Sequence, residues 1–246
     1  MDRRWRIGAV SYLNTRPLLL GLERSPLIEQ MELIKDYPAA IAQQLLDGTI
    51  DMGLVPVAIT PLLKEAHLVS QYCIGTEGEV ASVAIFSEVP LEQVTHLYLD
   101  YQSKTSVRLA QILLKEYWKK EVVLCIAEEG YIQEIKGTVA GVIIGDRALK
   151  ARSQFKYIYD LGSAWVSHTG LPFVFATWIA NKPIPSSFMS AFDTANEFGI
   201  QHLDQVIAAI PPIQQVYDLK QYYSKNISYH LSVSKRKGME LFLSRL

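Results

Sequence analysis

The chain passes from an apolar strand pattern into polar residues and a proline at Gly8-Ala9-Val10-Ser11-Tyr12-Leu13-Asn14-Thr15-Arg16-Pro17. A strand that ends in this way and is followed by a helix places its polar residues at the edge of a sheet, facing a crevice where ligands bind. The run offers uncharged hydrogen-bonding groups and one arginine, but no carboxylate, histidine or cysteine. It therefore predicts a site that holds an anionic small molecule, and not a hydrolase or metal centre.

The composition favours a globular protein with a small-molecule partner. With 246 residues, 49% of them hydrophobic, the chain can fill the core of one large domain or of two smaller lobes. Its 24 Lys and Arg residues against 25 Asp and Glu residues give a net charge of -1, which argues against a general nucleic-acid or anionic-membrane surface. The sequence has no run of roughly 18 to 20 continuous apolar residues, the length of a membrane span.

Two further features predict a cytoplasmic protein. The apolar run behind the basic residues at 1–6 is interrupted by Ser11, Asn14 and Arg16 before the core of an export signal could form. The two cysteines, Cys73 and Cys125, lie far apart on apolar strand patterns, which favours reduced thiols over a disulfide or a metal site.

Short apolar runs alternate with helical periods along the chain, which is typical of an α/β architecture. The apolar runs predict strands at 5–10, 31–35, 52–55, 82–86, 97–99, 122–126, 139–144 and 171–179. Helical periods lie between many of these runs, and the strongest of them covers residues 105–118. The segment after the last of these strands is predicted to be mainly helical.

The two halves of the chain are not separated by a Ser/Gly-rich linker. Two lobes joined by strand-like crossings need no flexible linker, and the pattern places such crossings near 83–90 and 172–179. The predicted first lobe is therefore discontinuous, with residues 1–87 and 178–246, and the second lobe comprises residues 88–177. We expect the ligand in the cleft between the lobes.

A second polar loop, Asp100-Tyr101-Gln102-Ser103-Lys104-Thr105-Ser106, lies between a predicted strand and the strongest helix. Hydroxyl side chains at a helix start satisfy free amide groups, and those amides together with the helix dipole attract anions. On the sequence alone, Ser103 or Thr105 is more simply explained as a helix cap. Three hydroxyl residues within four positions shift the balance toward carboxylate binding.

A third candidate is the turn His168-Thr169-Gly170-Leu171-Pro172-Phe173 before the return strand. The Thr169 side chain and the Gly170 amide are candidates to face the cleft, and the competing interpretation is an ordinary helix C-terminus ended by Gly170. His168 is a candidate general base, although a solvent-facing histidine is the favoured interpretation because nothing nearby in sequence orients it.

Ser82 stands at the start of an apolar strand without the sharp G-x-S-x-G turn that positions a serine nucleophile. It is better interpreted as a hydrogen-bond donor to a ligand, or as a polar residue where the strand emerges. Arg16 either pairs with a ligand carboxylate or forms an ion pair within its own lobe. The sequence lacks a Gly-rich phosphate loop, an H-E-x-x-H motif and a C-x-x-C motif.

The run Ser11-Tyr12-Leu13-Asn14-Thr15-Arg16-Pro17-Leu18 resembles the N-terminal motif of the chorismate dehydratases of the futalosine route to menaquinone. Further similar segments follow in the same order and span nearly the whole chain. They are Asp51-Met52-Gly53-Leu54-Val55-Pro56-Val57, Ser82-Val83, Ser103-Lys104-Thr105-Ser106, Ile144-Gly145-Asp146 and Thr169-Gly170-Leu171-Pro172-Phe173-Val174.

This resemblance implies the fold of type II periplasmic binding proteins, in which two α/β lobes surround a cleft. It also implies a carbon–oxygen lyase that removes water from chorismate to give 3-[(1-carboxyvinyl)oxy]benzoate, without a metal or an organic cofactor. In that family the enolpyruvyl carboxylate of the substrate is thought to act as the base. A site with no protein base is then expected, and the enzyme contributes orientation and electrostatic stabilisation.

The resemblance also implies roles for individual residues. Asn14 would hold the substrate in the eliminating geometry, and Ser82 would donate a hydrogen bond to it. A carboxylate of the substrate would be received by the hydroxyl groups and helix amides of Ser103, Thr105 and Ser106. Ser11 and Thr169, with the Gly170 amide, are the remaining candidates for substrate binding.

Two other classes of protein remain as alternatives. They are a non-catalytic solute-binding protein and a ligand-sensing domain for a small carboxylate, both of which could use the same fold. As a separate alternative, an enzyme of this fold could act on another cyclic dicarboxylate in place of chorismate. The sequence does not distinguish a monomer from a homodimer.

Overall fold

Eleven strands form two sheets in the computed structural model, which describes residues 4–246. In chain order they are β1 (Trp5–Val10), β2 (Met31–Asp36), β3 (Met52–Pro56), β4 (His67–Thr76), β5 (Val83–Ser87), β6 (His96–Leu99), β7 (Val123–Ile126), β8 (Val139–Ile144), β9 (Tyr157–Asp160), β10 (Phe173–Ala180) and β11 (Ser228–His230). The prediction for the first lobe begins at residue 1, so its first three residues lie outside the described range.

Helices connect most of these strands, as the alternating pattern predicts. They are α1 (Arg16–Arg24), α2 (Pro38–Leu46), α3 (Thr105–Glu116), α4 (Gly145–Ala151), α5 (Leu161–Thr169), α6 (Ser186–Gln201), α7 (Leu203–Ala208), α8 (Leu219–Gln221) and α9 (Val233–Leu243). Short 3₁₀ turns follow two strand ends, at Leu13–Thr15 and Val57–Leu62. Proline lies in the first turn of both α1 and α2, where its missing N–H breaks no helical hydrogen bond.

The first sheet has the strand order β11-β4-β10-β3-β1-β2. Strand β1 is parallel to β2 and β3, so the carboxyl ends of these three strands meet at one edge. Strand β10 is antiparallel to both of its neighbours, β3 and β4. Every residue of β3 and β10 is buried, which explains why both segments form nearly continuous apolar runs.

The second sheet has the order β7-β6-β8-β5-β9. Strand β6 is parallel to β7 and β8, whereas β5 is antiparallel to β8 and β9. The loop before α3 and the start of α4 follow β6 and β8, whose carboxyl ends lie side by side. The polar segments of the second lobe therefore meet at one edge, opposite the end of β1 in the first lobe.

The prediction of two α/β lobes with two crossings is confirmed, but the lobe boundaries fall at other residues. Strand β5 lies in the second sheet, although the prediction assigned residues up to 87 to the first lobe. Strand β10 lies wholly in the first sheet, although the prediction assigned residues up to 177 to the second. The chain thus crosses between Thr76 and Val83 and returns between Asp160 and Phe173. A buried strand is equally apolar in either sheet, so its own sequence does not reveal which sheet it joins.

Helices of the C-terminal segment cover the first sheet. Helices α1 and α6 cross so closely that Gly21 faces the Ala195 carbonyl and Gly199 faces the Pro17 carbonyl, which leaves no room for a side chain at either glycine. This crossing fixes α1, and with it the turn between β1 and α1, against the body of the first lobe.

Candidate functional site

The turn at Leu13–Thr15 connects β1 to α1 and is held in place by three side chains from distant parts of the chain. The Leu13 N–H donates to Asp146 Oδ1 at 2.9 Å, across the gap between the lobes. The Tyr223 hydroxyl donates to the Leu13 carbonyl at 3.0 Å, and the Tyr229 hydroxyl donates to the Asn14 carbonyl at 2.9 Å. The backbone of this turn is therefore fixed from several directions, and the Asn14 side chain projects from a rigid base.

Asn14 has one end of its side chain free for a ligand. The Thr15 hydroxyl donates to Asn14 Oδ1 at 3.1 Å, so the amide N–H groups of Asn14 are the groups available to donate to a bound molecule. Both residues line the cleft between the lobes. This geometry suits the orientation of a hydroxyl or ether oxygen of a ligand.

The opposite wall of the cleft is the start of α3. The Ser106 N–H donates to Ser103 Oγ at 3.0 Å, so Ser103 caps the helix as one of the two interpretations of the sequence predicts. The Thr105 hydroxyl accepts from the Ala58 N–H of the first lobe at 3.1 Å, which leaves its own hydrogen available to donate. All three hydroxyl residues are buried and line the cleft. A helix N-terminus with this lining attracts a carboxylate.

The cleft takes its walls from both lobes, and the empty space between them, open solvent included, is about 450 Å³. Its lining residues are uncharged: Val10, Tyr12, Asn14, Thr15, Pro38, Pro56, Ile74, Val83, Ser103, Thr105, Ser106, Ile144, Gly145, Phe175 and Ala176. Apolar surface predominates, and the polar groups come from the two segments described above. Such a lining can bind an anion through hydroxyl and amide donors, and it supplies no carboxylate, imidazole or amine as a base.

Besides the hydrogen bond from the Leu13 N–H to Asp146, three contacts join the lobes around the cleft. The Tyr12 hydroxyl donates to Gln102 Oε1, the Ala39 N–H donates to the Gln102 carbonyl at 3.2 Å, and Ala58 contacts Thr105 as above. Burial raises the pKa of Tyr12 well above its ordinary value, against a smaller opposing effect of nearby Arg147. Tyr12 is thus a neutral hydrogen-bond donor at physiological pH and not a base.

A buried ion pair supports the wall formed by the second lobe. Arg147 donates to both carboxylate oxygens of Asp100 at 2.8 Å, and the Tyr131 hydroxyl and the Ile144 N–H also donate to Asp100. Burial alone would lower the pKa of Arg147, but the Asp100 carboxylate raises it above its ordinary value. The pair ties the loop after β6 to the start of α4, so both segments reach the cleft as one unit.

The structure brings four of the predicted site residues together. Asn14 lies on one wall, and Ser103, Thr105 and Ser106 lie on the other. The sequence analysis missed Tyr12 and Thr15 as lining residues, although both lie in the opening motif. It also missed Gly145 as a lining residue. Gly145 follows β8 with φ +64 and contacts the Tyr12 ring. The available signal was its position within an Ile-Gly-Asp segment at a strand end.

The other four predicted residues do not line the cleft. Ser11 is exposed, with its N–H donating to the Asp36 carbonyl. Ser82 is 0% exposed and lies behind the wall, because Val83 takes the adjoining place on the cleft surface. The contact between Ser82 and a ligand stays a prediction, and in this structure the Ser82 carbonyl accepts from the Gly145 N–H at 2.8 Å.

Thr169 and Gly170 form the C-terminal end of α5, which agrees with the interpretation of this turn as an ordinary helix C-terminus. The Thr169 hydroxyl donates to the Trp165 carbonyl at 2.8 Å and accepts from the Leu171 N–H at 3.2 Å. Gly170 is exposed and ends α5 with φ +71, a conformation that glycine adopts without strain. In this structure the polar groups of both residues serve the helix end, and their contact with a ligand stays a prediction.

Arg16 and His168 also lie away from the cleft. Arg16 lines a separate recess between α1 and α7, which includes Leu20 and Ile210. His168 Nε2 lies 3.4 Å from Glu116 Oε2. Neither side chain is among the groups that line the cleft.

Residues 4–246 contain no group of three or more His, Cys, Asp or Glu side chains arranged to hold a metal ion. The cofactor-free site thus stays a prediction from the resemblance. Within the same range, no helix is long and apolar enough to cross a membrane.

A family model described as menaquinone biosynthesis matches residues 5–246. The chain belongs to this menaquinone biosynthesis family. A chorismate dehydratase of Thermus thermophilus is 28% identical over 267 residues, covering 94% of this chain and 96% of its own length. A chorismate dehydratase of Campylobacter jejuni is 25% identical over 244 residues, covering 96% of this chain and 95% of its own.

Solved structures agree on the fold of this menaquinone biosynthesis protein. A Candida albicans gene product described as having the generic periplasmic binding protein fold aligns with a TM-score of 0.66 and 11% identity, over 97% of this chain and 90% of its own. The predicted periplasmic-binding-protein-like fold is confirmed. At this identity the likeness concerns the fold alone.

Proposed function

We propose that this protein is a chorismate dehydratase, a carbon–oxygen lyase that converts chorismate to 3-[(1-carboxyvinyl)oxy]benzoate and water. Two curated relatives that carry this name align with nearly the whole chain. The observation that carries the proposal is the uncharged cleft, in which Asn14 faces a helix start with three hydroxyl residues.

The chemistry of the substrate matches what the cleft offers. Formation of a 3-substituted benzoate requires that a proton leave the ring carbon bearing the enolpyruvyl oxygen and that hydroxide leave the neighbouring carbon. Together they make one water, and the ring becomes aromatic, which drives the reaction. The enzyme then has to hold the ring and its carboxylates in one geometry.

The two walls divide this task in the proposed complex. The helix start with Ser103, Thr105 and Ser106 receives one substrate carboxylate through hydroxyl and amide donors. The amide of Asn14 donates to an oxygen near the reacting carbons. Since the lining carries no group suited to be a base, the proton is taken by the enolpyruvyl carboxylate of the substrate itself. Tyr12, kept protonated by burial, donates to Gln102 across the cleft and offers no base.

Incubation of the purified protein with chorismate tests the proposal. We expect mass analysis to show the loss of one water and NMR to identify a 3-substituted benzoate, with no added metal or organic cofactor. The matched control is the Asn14→Ala variant at the same concentration, which corrects for spontaneous products of chorismate. Equal product from both proteins would contradict the proposed site.

A solute-binding protein is the second candidate, because the fold is shared with periplasmic binding proteins. Its signature would be a chorismate-dependent rise in melting temperature while chorismate remains unchanged. A rise with another cyclic dicarboxylate, and none with chorismate, would assign a different ligand to the same cleft.

We also propose that the protein acts in the cytoplasm. The two cysteines are not bridged to each other, as expected for thiols in a reducing compartment. Cell fractionation with detection of the native protein tests this assignment.

A further inference from the structure

The polar groups of the cleft have almost no contact with solvent. Thr15 is 0% exposed, Thr105 is 2% exposed and Ser106 is 4% exposed. A ligand therefore cannot reach the start of α3 while the lobes stay in this arrangement, and the lobes have to part before it binds. Proteins with two lobes around a cleft part by rotation about the segments that join the lobes.

Both segments that join the lobes lie on the same side of the cleft. The first, residues 77–82, runs from β4 to β5, and the second, residues 161–172, runs from β9 through α5 to β10. Strands β4 and β10 are neighbours in the first sheet, and β5 and β9 are neighbours in the second. These two segments therefore form the hinge, and the groups farthest from them move most when the lobes rotate.

The order of the strands ranks the contacts between the lobes by their distance from this hinge. In the first sheet β3, β1 and β2 follow β10 in that order, at about 4.8 Å per strand. Ala58 follows β3, and Tyr12 and Leu13 follow β1. Ala39 lies at the start of α2, which follows the edge strand β2. In the second sheet Gln102 follows β6, which is two strands away from β5. The contact between Ala39 and Gln102 is therefore the one farthest from the hinge.

Gln102 makes two of the contacts between the lobes, both at this outer rim. Its carbonyl accepts from the Ala39 N–H at 3.2 Å, and its side-chain Oε1 accepts from the Tyr12 hydroxyl. Helix α2 has no side-chain cap, so a carbonyl of the other lobe satisfies an N–H group of its first turn. Gln102, Tyr12 and Ala39 are each half-buried, which places them between the buried groups of the cleft and the solvent.

The second lobe holds Gln102 in place for these contacts. The Gln102 N–H donates to Asp100 Oδ1 at 3.0 Å, and Asp100 is itself paired with Arg147. The Gln102 Nε2 group donates to the Tyr101 hydroxyl at 3.1 Å, which leaves Oε1 to accept from Tyr12. Because contacts within the second lobe set this loop, closure of the lobes costs little conformational entropy at Gln102.

We propose that Gln102 is the latch of the cleft. Its contacts with Tyr12 and Ala39 hold the lobes together at the rim opposite the hinge, and they break first when a ligand enters or leaves. Contacts nearer the hinge, such as the one between Ala58 and Thr105, separate later and by less. The latch acts on the movement of the lobes, so it applies to any ligand of the cleft and does not require the reaction proposed above.

The rate at which a thiol inside the cleft reacts with a small disulfide reagent measures the opening of the lobes. The reporter is Ser106→Cys, combined with Cys125→Ser to remove the half-buried native thiol, whereas Cys73 is buried. Gln102→Ala and Tyr12→Phe, each added to this background, should raise the labelling rate about fivefold, the effect of one lost hydrogen bond. Both changes together should also give about fivefold, because they delete the same bond.

Tyr117→Phe and Gln133→Ala are the matched controls. Both side chains are exposed on the second lobe, and neither change should alter the labelling rate. Denaturant unfolding of each variant separates opening of the lobes from global unfolding. The proposal is overturned by an unchanged labelling rate in Gln102→Ala or Tyr12→Phe, by additive effects of the two changes, or by a rise that a fall in the free energy of unfolding fully explains.

A disulfide across the rim tests whether the latch has to open. Ala39→Cys with Gln102→Cys, again with Cys125→Ser, places two thiols where the two backbones already share a hydrogen bond. The oxidised form should turn over chorismate at least tenfold more slowly than the reduced form of the same variant. This second test rests on the proposed function: if neither the reduced variant nor the wild type converts chorismate, the proposed function fails and the labelling rates alone decide on the latch. Equal turnover by the oxidised and reduced forms, or thiols that do not pair on oxidation, overturns the latch.

Discussion

The two walls of the cleft hold their polar groups by different means. At the start of α3 the supporting contact is local, because Ser103 caps Ser106 only three residues away. At the turn Leu13–Thr15 the supports are remote, because they come from Asp146, Tyr223 and Tyr229, which are 133 to 215 residues away in sequence.

The wall at the start of α3 is therefore held by contacts within its own segment, whereas the turn Leu13–Thr15 is held by residues distant in sequence. The wall at the start of α3 is in place once α3 forms. The placement of Asn14 requires that Asp146 of the second lobe accept the hydrogen bond from the Leu13 N–H of the first lobe. The position of Asn14 is thus coupled to closure of the lobes, and variants that break the remote contacts should lower turnover more than binding.

Asn14→Ala should have the largest effect, since it removes the donor at the reacting centre. We expect kcat for water loss from chorismate to fall by about 10²–10³-fold, the usual result of deleting one oriented donor. Circular dichroism and the melting temperature should stay near those of the wild type. Ser11→Ala is the matched control, because Ser11 is exposed three residues earlier, and its kcat should be unchanged. Normal turnover by folded Asn14→Ala would remove Asn14 from the site.

Asp146→Ala should lower kcat by about 30-fold, because a small displacement of a positioned group can cost up to about 100-fold. Asp146 is a positioning residue that acts through the Leu13 N–H. Asp146→Asn keeps an acceptor oxygen and should restore most of kcat. If Asp146 had a purely structural role, kcat and KM would change together. Steady-state kinetics of the two variants checks this, and an equal rise in KM for both would contradict the coupling.

Gly145→Ala should lower kcat/KM by about tenfold, an effect of roughly 1.4 kcal/mol on the transition state. A Cβ at this position would stand 2.6 Å from the Tyr12 ring, so the contact between the walls has to open. Gly137→Ala is the control, since Gly137 also has a positive φ but has no atom within 4 Å of an added Cβ. The same loss in both variants would assign the effect to backbone strain alone.

Thr105→Val should raise KM about fivefold with little change in kcat, because one hydrogen bond contributes about 1 kcal/mol. Thr169→Val makes the same substitution outside the cleft and should leave KM unchanged. Steady-state kinetics with chorismate measures both. An unchanged KM for Thr105→Val means that this helix start does not receive the carboxylate.

Titration of Asp160 should change the free energy of unfolding and leave both walls of the cleft intact. Its carboxylate caps α5 and accepts from the Val80 and Ala81 N–H groups, and burial raises its pKa from 3.8 to about 6. The folded protein therefore binds more protons than the unfolded chain between these pH values. The free energy of unfolding should fall as pH rises from about 4 to about 6, by about 3 kcal/mol in total.

Denaturant unfolding across this pH range measures the Asp160 effect. Asp160→Asn should flatten the slope, whereas Asp218→Asn should not, because Asp218 caps α8 from an exposed position. An unchanged slope in Asp160→Asn would assign the pH dependence to other groups.

Local features of the sequence predict most of the elements, and four of the eight predicted site residues line the cleft. Strands β1 and β8 begin and end at the predicted residues, because their apolar runs are bounded by clear polar or turn residues. The walls at Asn14 and at Ser103 to Ser106 each lie within a single strand-to-helix segment, so the residues that form them are neighbours in the sequence.

The remainder depends on contacts that the sequence does not display. The sequence analysis placed Cys73 on an apolar strand pattern but gave β4 no bounds, because Ser70 and Gln71 interrupt the apolar run, and the cleft residue Ile74 was missed. Ser82 was predicted to contact a ligand, whereas its neighbour Val83 lines the cleft in this structure, since which of two adjacent residues faces the cleft depends on the orientation of the strand. The sequences of β5 and β10 likewise do not show which sheet each strand joins, because that depends on the neighbouring strands with which it pairs.

The insertion of β10 between β3 and β4 imposes an order on biosynthesis. All five strands of the second sheet lie within residues 83–160, so that sheet can close while the end of the chain is still in the ribosome. The first sheet has to wait for β10, which ends at residue 180, and for its edge strand β11 at residues 228–230, although its first four strands emerge before any of the second. During synthesis β3 and β4 are therefore exposed without their shared partner, which makes this interval the one in which the nascent chain most needs a chaperone.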